Sequence, residues 1–291
     1  MHDRLILGTV QFGLHYGINN KTGQISTKEA FHILDYAWLN GVRTLDTAAA
    51  YGSSETIIGQ YLEANPERSF QLITKLGLHS TEDLEKAFFE SLMRLKSQSV
   101  QTILFHSIHD YKRFKGQLKE FSAQYKGSRF NQIGVSVYTN AEMFELCNEI
   151  GIDLIQMPFN LLDNSIYRIE AMHHIKQTGI RIHTRSMFLQ GLFFKPINEI
   201  PKALGPLIPA LIQINEIAIK YGYSIEQLAF LYAMQCVETE GVLMGVDSVL
   251  QLQKNLSYIC SPLESACINE IHQIRIPSHI YLNPSKWQEL N

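Results

Sequence analysis

Phe70-Gln71-Leu72-Ile73-Thr74-Lys75, then Leu84–Leu95, then Thr102-Ile103-Leu104-Phe105-His106 form a short apolar run, a longer segment and a second short apolar run. The two short runs are continuous rather than alternating, as expected of strands buried on both faces in a parallel sheet. The segment between them carries apolar residues at three- and four-residue spacing, the stripe of an amphipathic helix. This strand–helix–strand unit recurs along the chain. Further strand-like runs lie at Leu5–Thr9, Thr44–Asp46, Gln132–Ser136, Leu154–Gln156, Ile180–Thr184 and Val242–Gly245, making eight in all.

Helix starts fall between the runs. Ser26-Thr27-Lys28-Glu29, Thr139-Asn140-Ala141-Glu142, Ser224-Ile225-Glu226-Gln227 and Ser248-Val249-Leu250-Gln251 fit the capping box, in which a hydroxyl and a Glu or Gln satisfy orphaned first-turn N–H groups. Eight strands, each followed by a helix, predict an α/β fold, a (β/α)8 TIM barrel forming one domain over residues 1–291. The segment Gly8-Thr9-Val10-Gln11-Phe12-Gly13-Leu14 does not fit the G-x-G-x-x-G fingerprint, which counts against a dinucleotide-binding open sheet.

Composition sets the broad class. With 45% hydrophobic and 18% charged residues, the chain has material for a large core and is not disordered. A formal net charge of −3, without a basic stripe, leaves nucleic-acid binding no electrostatic footprint. No apolar stretch reaches the roughly 18 residues of a membrane helix. Met1-His2-Asp3-Arg4-Leu5 runs straight into the first strand without a secretory pattern. Cys147, Cys236, Cys260 and Cys267 form no C-x-x-C pair. A soluble, cytoplasmic enzyme with reduced cysteines and a small-molecule partner is expected; its oligomeric state stays open. His106, His109, His173 and His174 lack the spacing of a metal site.

In a barrel, chemistry belongs at the carboxyl ends of the strands. Asp46 closes strand two, Tyr51 lies in the loop after it, Lys75 closes strand three and His106 closes strand four. Each alone has a plain structural reading, whether buried carboxylate, packing ring, strand-end charge or core histidine. Together they suit carbonyl reduction. An oxygen that gains negative charge as hydride arrives needs a proton donor, and Tyr51 can be that donor. A Lys75 ammonium beside it is expected to lower its pKa from about 10, and Asp46 to keep Lys75 charged. His106 can orient the carbonyl oxygen or relay the proton. General acid catalysis of this kind contributes about 10²–10⁴-fold.

Leu45-Asp46-Thr47-Ala48-Ala49-Ala50-Tyr51-Gly52-Ser53-Ser54-Glu55 resembles the signature of the aldo-keto reductase family. Ile73-Thr74-Lys75-Leu76 and Leu104-Phe105-His106-Ser107 resemble the segments bearing that family's lysine and histidine. The likeness continues through Ile133–Ser136, Ile155–Asn160, Arg185–Gly191 and Met244–Ser248 to Asn255, nearly the whole chain. The resemblance implies a catalytic tetrad of Asp46, Tyr51, Lys75 and His106, with Tyr51 as general acid. It also implies a nicotinamide whose carboxamide meets Ser136 and Gln156. Ser186 through Gly191 would approach the pyrophosphate, and Gly245, Asp247, Gln251 and Asn255 the adenosine half. NADPH is the cofactor it favours, with NADH the alternative. The opening segment and the Asn283-Pro284-Ser285-Lys286-Trp287 ending resemble a bacterial branch associated with sugar or surface-polysaccharide metabolism, implying a sugar-derived carbonyl substrate.

Three positions depart from the family pattern. Val137 stands where an asparagine usually follows the strand-five serine. Arg185 stands where an aromatic ring often stacks on the nicotinamide. Asp247 would repel a 2′-phosphate and accept instead from a ribose hydroxyl, although Lys254 is near it in sequence. Gln11 can face substrate or sit in a structural turn, and Trp287 can wall the pocket or dock outside the barrel. The competing functions are a cofactor-binding regulatory or interaction protein on the same fold and a metal-dependent barrel hydrolase, since a fold does not fix a function.

Overall fold

In the computed structural model, residues 2–21, 23–78, 83–258 and 262–290 are described. Eight parallel strands close a barrel in sequence order. They are β1 (Leu5–Gly8), β2 (Thr44–Ala48), β3 (Gln71–Lys75), β4 (Val100–Phe105), β5 (Phe130–Ser136), β6 (Leu154–Pro158), β7 (Arg181–Arg185) and β8 (Gly241–Gly245). The expected (β/α)8 barrel is therefore what the chain forms. Its helices pack outside, where the aliphatic faces of Thr27–Leu39, Leu84–Arg94 and Ile208–Lys220 join the outward-facing strand residues in one large core.

Several strand ends differ from the sequence reading, because parallel pairing carries strands past their apolar runs. Pairing of Ala48 with Lys75 extends β2 two residues beyond Asp46. Pairing of Pro158 with Arg185 extends both β6 and β7. β4 starts at Val100 and stops at Phe105, so His106 is the first residue after it.

The barrel interior explains where a site must lie. Ile6, Ile73, Leu104, Leu154 and Leu243 form a separate buried cluster inside the closed sheet. Side chains of a strand return to the same face every second residue. Two residues further along these strands stand Gly8, Lys75, His106, Gln156 and Gly245, and Asp46, Ser136 and Arg185 complete the ring from the other three. All eight line one cleft at the carboxyl mouth.

The helix caps also bear on the site. Ser26, Thr139, Ser224 and Ser248 each accept from the backbone N–H three residues on. Only Thr139 and Glu142 complete the reciprocal box. Glu29 instead accepts from Val249 N–H at 2.9 Å, tying the first full helix to the start of the helix after β8. Gln251 Oε1 accepts from Asp247 N–H at 2.8 Å, one residue before its cap.

Candidate active site

The cleft at the mouth has a volume of about 760 Å3, within the range of small-molecule sites. At its floor Lys75 Nζ forms a fully buried ion pair with Asp46 Oδ1. Gln156 Nε2 donates to the other carboxylate oxygen at 2.8 Å. That bond fixes the direction of the Gln156 amide and leaves its Oε1 buried without a partner among the described residues. Burial lowers the Lys75 pKa, and the attraction of Asp46 opposes the shift. Asp46 pairs with Lys75 and not with Arg43, whose guanidinium lies over Trp38.

Tyr51 stands above this pair. Lys75 Nζ is 5.2 Å from the centre of the Tyr51 ring, and the His106 ring meets it edge-on at 6.0 Å. The loop carrying Tyr51 is held from below. Gly52 has φ +54, open to a residue without Cβ, and Tyr51 N–H donates to Ala48 O at 2.9 Å. Ser54 Oγ bonds Thr9 and Thr47 in a buried hydroxyl cluster. Glu55, also buried, accepts from Thr74 Oγ1 at 2.5 Å and from Arg94 Nε at 2.7 Å. The motif from Leu45 to Glu55 thus serves largely to hold one phenol in place.

One expectation fails on direction. The Tyr51 pKa lies above the ordinary tyrosine value, raised first by burial and then by Asp46, with Arg185 pulling the other way. The Lys75 charge that was to lower it is committed to Asp46.

Arg185 takes a position that the sequence left open. Its Nε donates to Ser136 Oγ at 3.3 Å, one terminal nitrogen to Val137 O at 3.1 Å and the other to Ser186 Oγ at 3.3 Å. Its guanidinium lies 4.2 Å from the centre of the Tyr138 ring. Val137 is buried and contributes only its carbonyl. All acceptors of Arg185 are neutral, and no carboxylate pairs with it among the described residues. Beyond it, Ser186, Leu189, Gln190 and Gly191 have positive φ, and the Gln190 carbonyl accepts from Ile18 N–H.

The cleft continues to the end of β8, where Gly245, Asp247, Gln251, Lys254 and Asn255 line it with Glu226. Gln11 reaches this side and lies against Gly245: a Cβ on Gly245 would fall 2.8 Å from Gln11 Nε2. All thirteen site residues expected from the sequence line this one cleft. Sequence reasoning missed Gly8, Tyr16, Asp110, Tyr138 and Glu226. Period two from Ile6 and Ser136 would have flagged Gly8 and Tyr138; nothing local marks Tyr16. Of the tail, Pro284 and Ser285 line the cleft, whereas Trp287 donates to Tyr281 O at 2.8 Å and packs on the core.

Among the described residues no group of three or more His, Cys, Asp or Glu is placed to hold a metal ion. His173 faces Glu238 at 3.3 Å. Cys147, Cys236 and Cys267 are free thiols, and Cys260 lies outside the described residues. No helix among the described residues is long and apolar enough to cross a membrane.

A closed eight-stranded barrel with a Tyr, Lys, Asp and His set at its mouth defines a class, and sequence comparison agrees with it. The sequence model of the Aldo/keto reductase family matches residues 4–276, and the chain belongs to that family, an oxidoreductase. It is 23% identical over 263 residues to an L-galactose dehydrogenase of Arabidopsis thaliana, covering 84% of this chain and 81% of that protein. It is 22% identical over 312 residues to a D-threo-aldose 1-dehydrogenase of a Pseudomonas species, covering 90% and 94%. Among solved structures, an aldo-keto reductase enzyme from a Medee basin deep-sea metagenome library superposes with a TM-score of 0.69 at 19% identity. The match covers 93% of this chain and 90% of that one.

Proposed function

We propose that the chain is a nicotinamide-dependent carbonyl reductase acting on a sugar-derived aldehyde or ketone. The observation that carries this is the ring at the mouth, where every strand contributes one inward residue and Tyr51 overhangs the Lys75–Asp46 pair. The cleft suits such a cofactor. Gln156 Oε1 is a buried acceptor without a donor, as a carboxamide N–H would require, and Ser136 Oγ lies beside it in the register of β5 and β6.

A reduced nicotinamide, its carboxamide held by Ser136 and Gln156, would supply hydride to the carbonyl carbon. Tyr51 gives its hydroxyl proton to the carbonyl oxygen as that oxygen gains charge. Lys75 sets a positive potential beneath the oxygen, and Asp46 holds the ammonium in one place. His106, just past the end of β4, faces the same oxygen and fixes its approach. Being preformed and built on a buried ion pair, this arrangement needs little reorganisation when charge develops. The relatives named for L-galactose and D-threo-aldose support a sugar-derived substrate.

The test pairs binding with turnover. NADH and NADPH are titrated by fluorescence, and sugar aldehydes and ketones are then screened with whichever binds. Tyr51→Phe should keep cofactor affinity within about twofold and lose most of the general-acid contribution, about 10²-fold or more. A Tyr51→Phe protein with wild-type turnover refutes the mechanism. Tight cofactor binding with no turnover of any carbonyl would favour the regulatory reading.

A further inference from the structure

We infer that the far end of the cleft is built for an unphosphorylated ribose, so that the protein selects NADH over NADPH. This deepens the reading above and rests on it. It also runs against the NADPH that family likeness alone favours.

Two acceptors at this end of the cleft are short of donors among the described residues. Gln11 is 8% exposed and lines the cleft, yet its Oε1 has no donor. Asp247 lines the same end, and its Oδ1 is buried without a partner of normal geometry. Its other oxygen holds a long bond from Gln251 Nε2, at 3.4 Å, and the Gln11 amide also lies within reach of the carboxylate. Burial raises the Asp247 carboxyl pKa, and what opposes the shift is the neutral amides of Gln251 and Gln11 rather than a cation. Buried acceptors are satisfied by donors. A ribose diol brings two O–H donors, whereas a phosphate brings acceptors and about two negative charges near neutral pH.

The charges on this side agree. Glu226 adds a second carboxylate, and Lys254, the cation among the lining residues here, is 3.8 Å from it. Two carboxylates against one ammonium leave the ribose end net negative. Arg185 and Lys75 belong to the floor and are tied to Ser136, Val137, Ser186 and Asp46. Gly245 leaves room for the Gln11 amide, since a Cβ there would fall 2.8 Å from its Nε2.

The experiment is a pair of fluorescence titrations, with NADH and with NADPH, on the full chain and on Asp247→Asn and Glu226→Gln. NADH should bind at least about tenfold more tightly to the natural protein, a gap that narrows as salt screens the repulsion. Asp247→Asn should close most of that gap by tightening NADPH, and Glu226→Gln should close part of it. Equal or tighter binding of NADPH by the natural protein overturns the inference but leaves the reductase reading standing. An unchanged ratio in both variants overturns the assignment to these residues. Failure of both cofactors to bind removes the reductase reading itself, and the inference with it.

Discussion

Gly13 is where the fold should tolerate no side chain. A Cβ built on it would lie 1.7 Å from the Tyr51 carbonyl oxygen, half the 3.4 Å at which ordinary van der Waals contact begins. It would also lie 2.6 Å from Ser54 N and 2.8 Å from Ser53 N. All three atoms are backbone, so no rotamer change relieves the clash, and the short helix Val10–Gly13 and the Tyr51 loop must move apart. Overpacking typically costs 1–3 kcal/mol, and with rigid neighbours Gly13→Ala should lie near the top, about 3 kcal/mol. In a chain of this size that corresponds to a fall in Tm of about 6 °C. Turnover should fall further than stability suggests, because a displacement of about 1 Å at a reacting group costs about 10²-fold. Cofactor affinity should weaken too, though by less than turnover falls, because Gln11 on the same short helix lines the far end of the cleft. Thermal melts, cofactor titration and steady-state reduction measure the three effects. Gly116→Ala, whose Cβ would meet nothing within 4 Å, is the control. A Gly13→Ala protein that melts and turns over like its Gly116→Ala counterpart would refute the claim that this contact seats Tyr51.

Three further outcomes follow from the interior. Asp46→Asn leaves the Lys75 ammonium buried without its anion, which should cost about 3–5 kcal/mol in urea unfolding; an unchanged midpoint would show that the pair is not a stabilising one. His183, buried on the inner side of β7 with Nδ1 unpartnered, has its pKa lowered from 6.5 to about 3, chiefly by burial. The unfolded chain therefore takes up a proton that the folded one refuses, and stability falls as pH drops below 6.5. This group should contribute a loss of about 2 kcal/mol between pH 7 and pH 5, absent from His183→Gln; parallel pH profiles of the two proteins would contradict it. Arg185→Met removes a guanidinium without a carboxylate partner, so binding of the cationic oxidised cofactor should tighten relative to the reduced one. Equal changes for both forms would place Arg185 too far from the ring to matter.

Much of the fold was legible because buried parallel strands announce themselves as continuous apolar runs, and all eight were found to within about two residues. Their ends were less legible. Asp46 looks terminal because Thr47 and Ala48 are not strongly apolar, yet pairing with Thr74 and Lys75 carries the strand on. The tetrad was readable as residue types at strand ends, and the barrel supplied the proximity. What could not be read was the partnering. The sequence offers Glu29 to its own helix cap, but the side chain reaches across to Val249. It offers Arg185 to an absent ring, but Tyr138 stacks on the guanidinium. Such choices depend on which neighbours arrive from distant segments, and local pattern carries no record of them.

The direction of the Tyr51 shift separates two ways of making an acid. If Lys75 lowered the phenol pKa toward neutrality, Tyr51 would be a stronger acid but partly ionised and spent at working pH. Burial and Asp46 instead hold the proton on, so the donor is fully loaded, and Lys75 acts on the charge that appears on the substrate oxygen. Catalysis then depends on the order of events: the proton leaves only when an alkoxide, a stronger base than phenolate, forms beside it. The phenolate absorbance of the natural protein minus that of Tyr51→Phe reports this group alone among the 13 tyrosines. The difference should stay flat up to at least about pH 10, the ordinary tyrosine value. A step below about pH 9 would mean that Lys75 governs the phenol directly, and the preloaded donor would have to be abandoned.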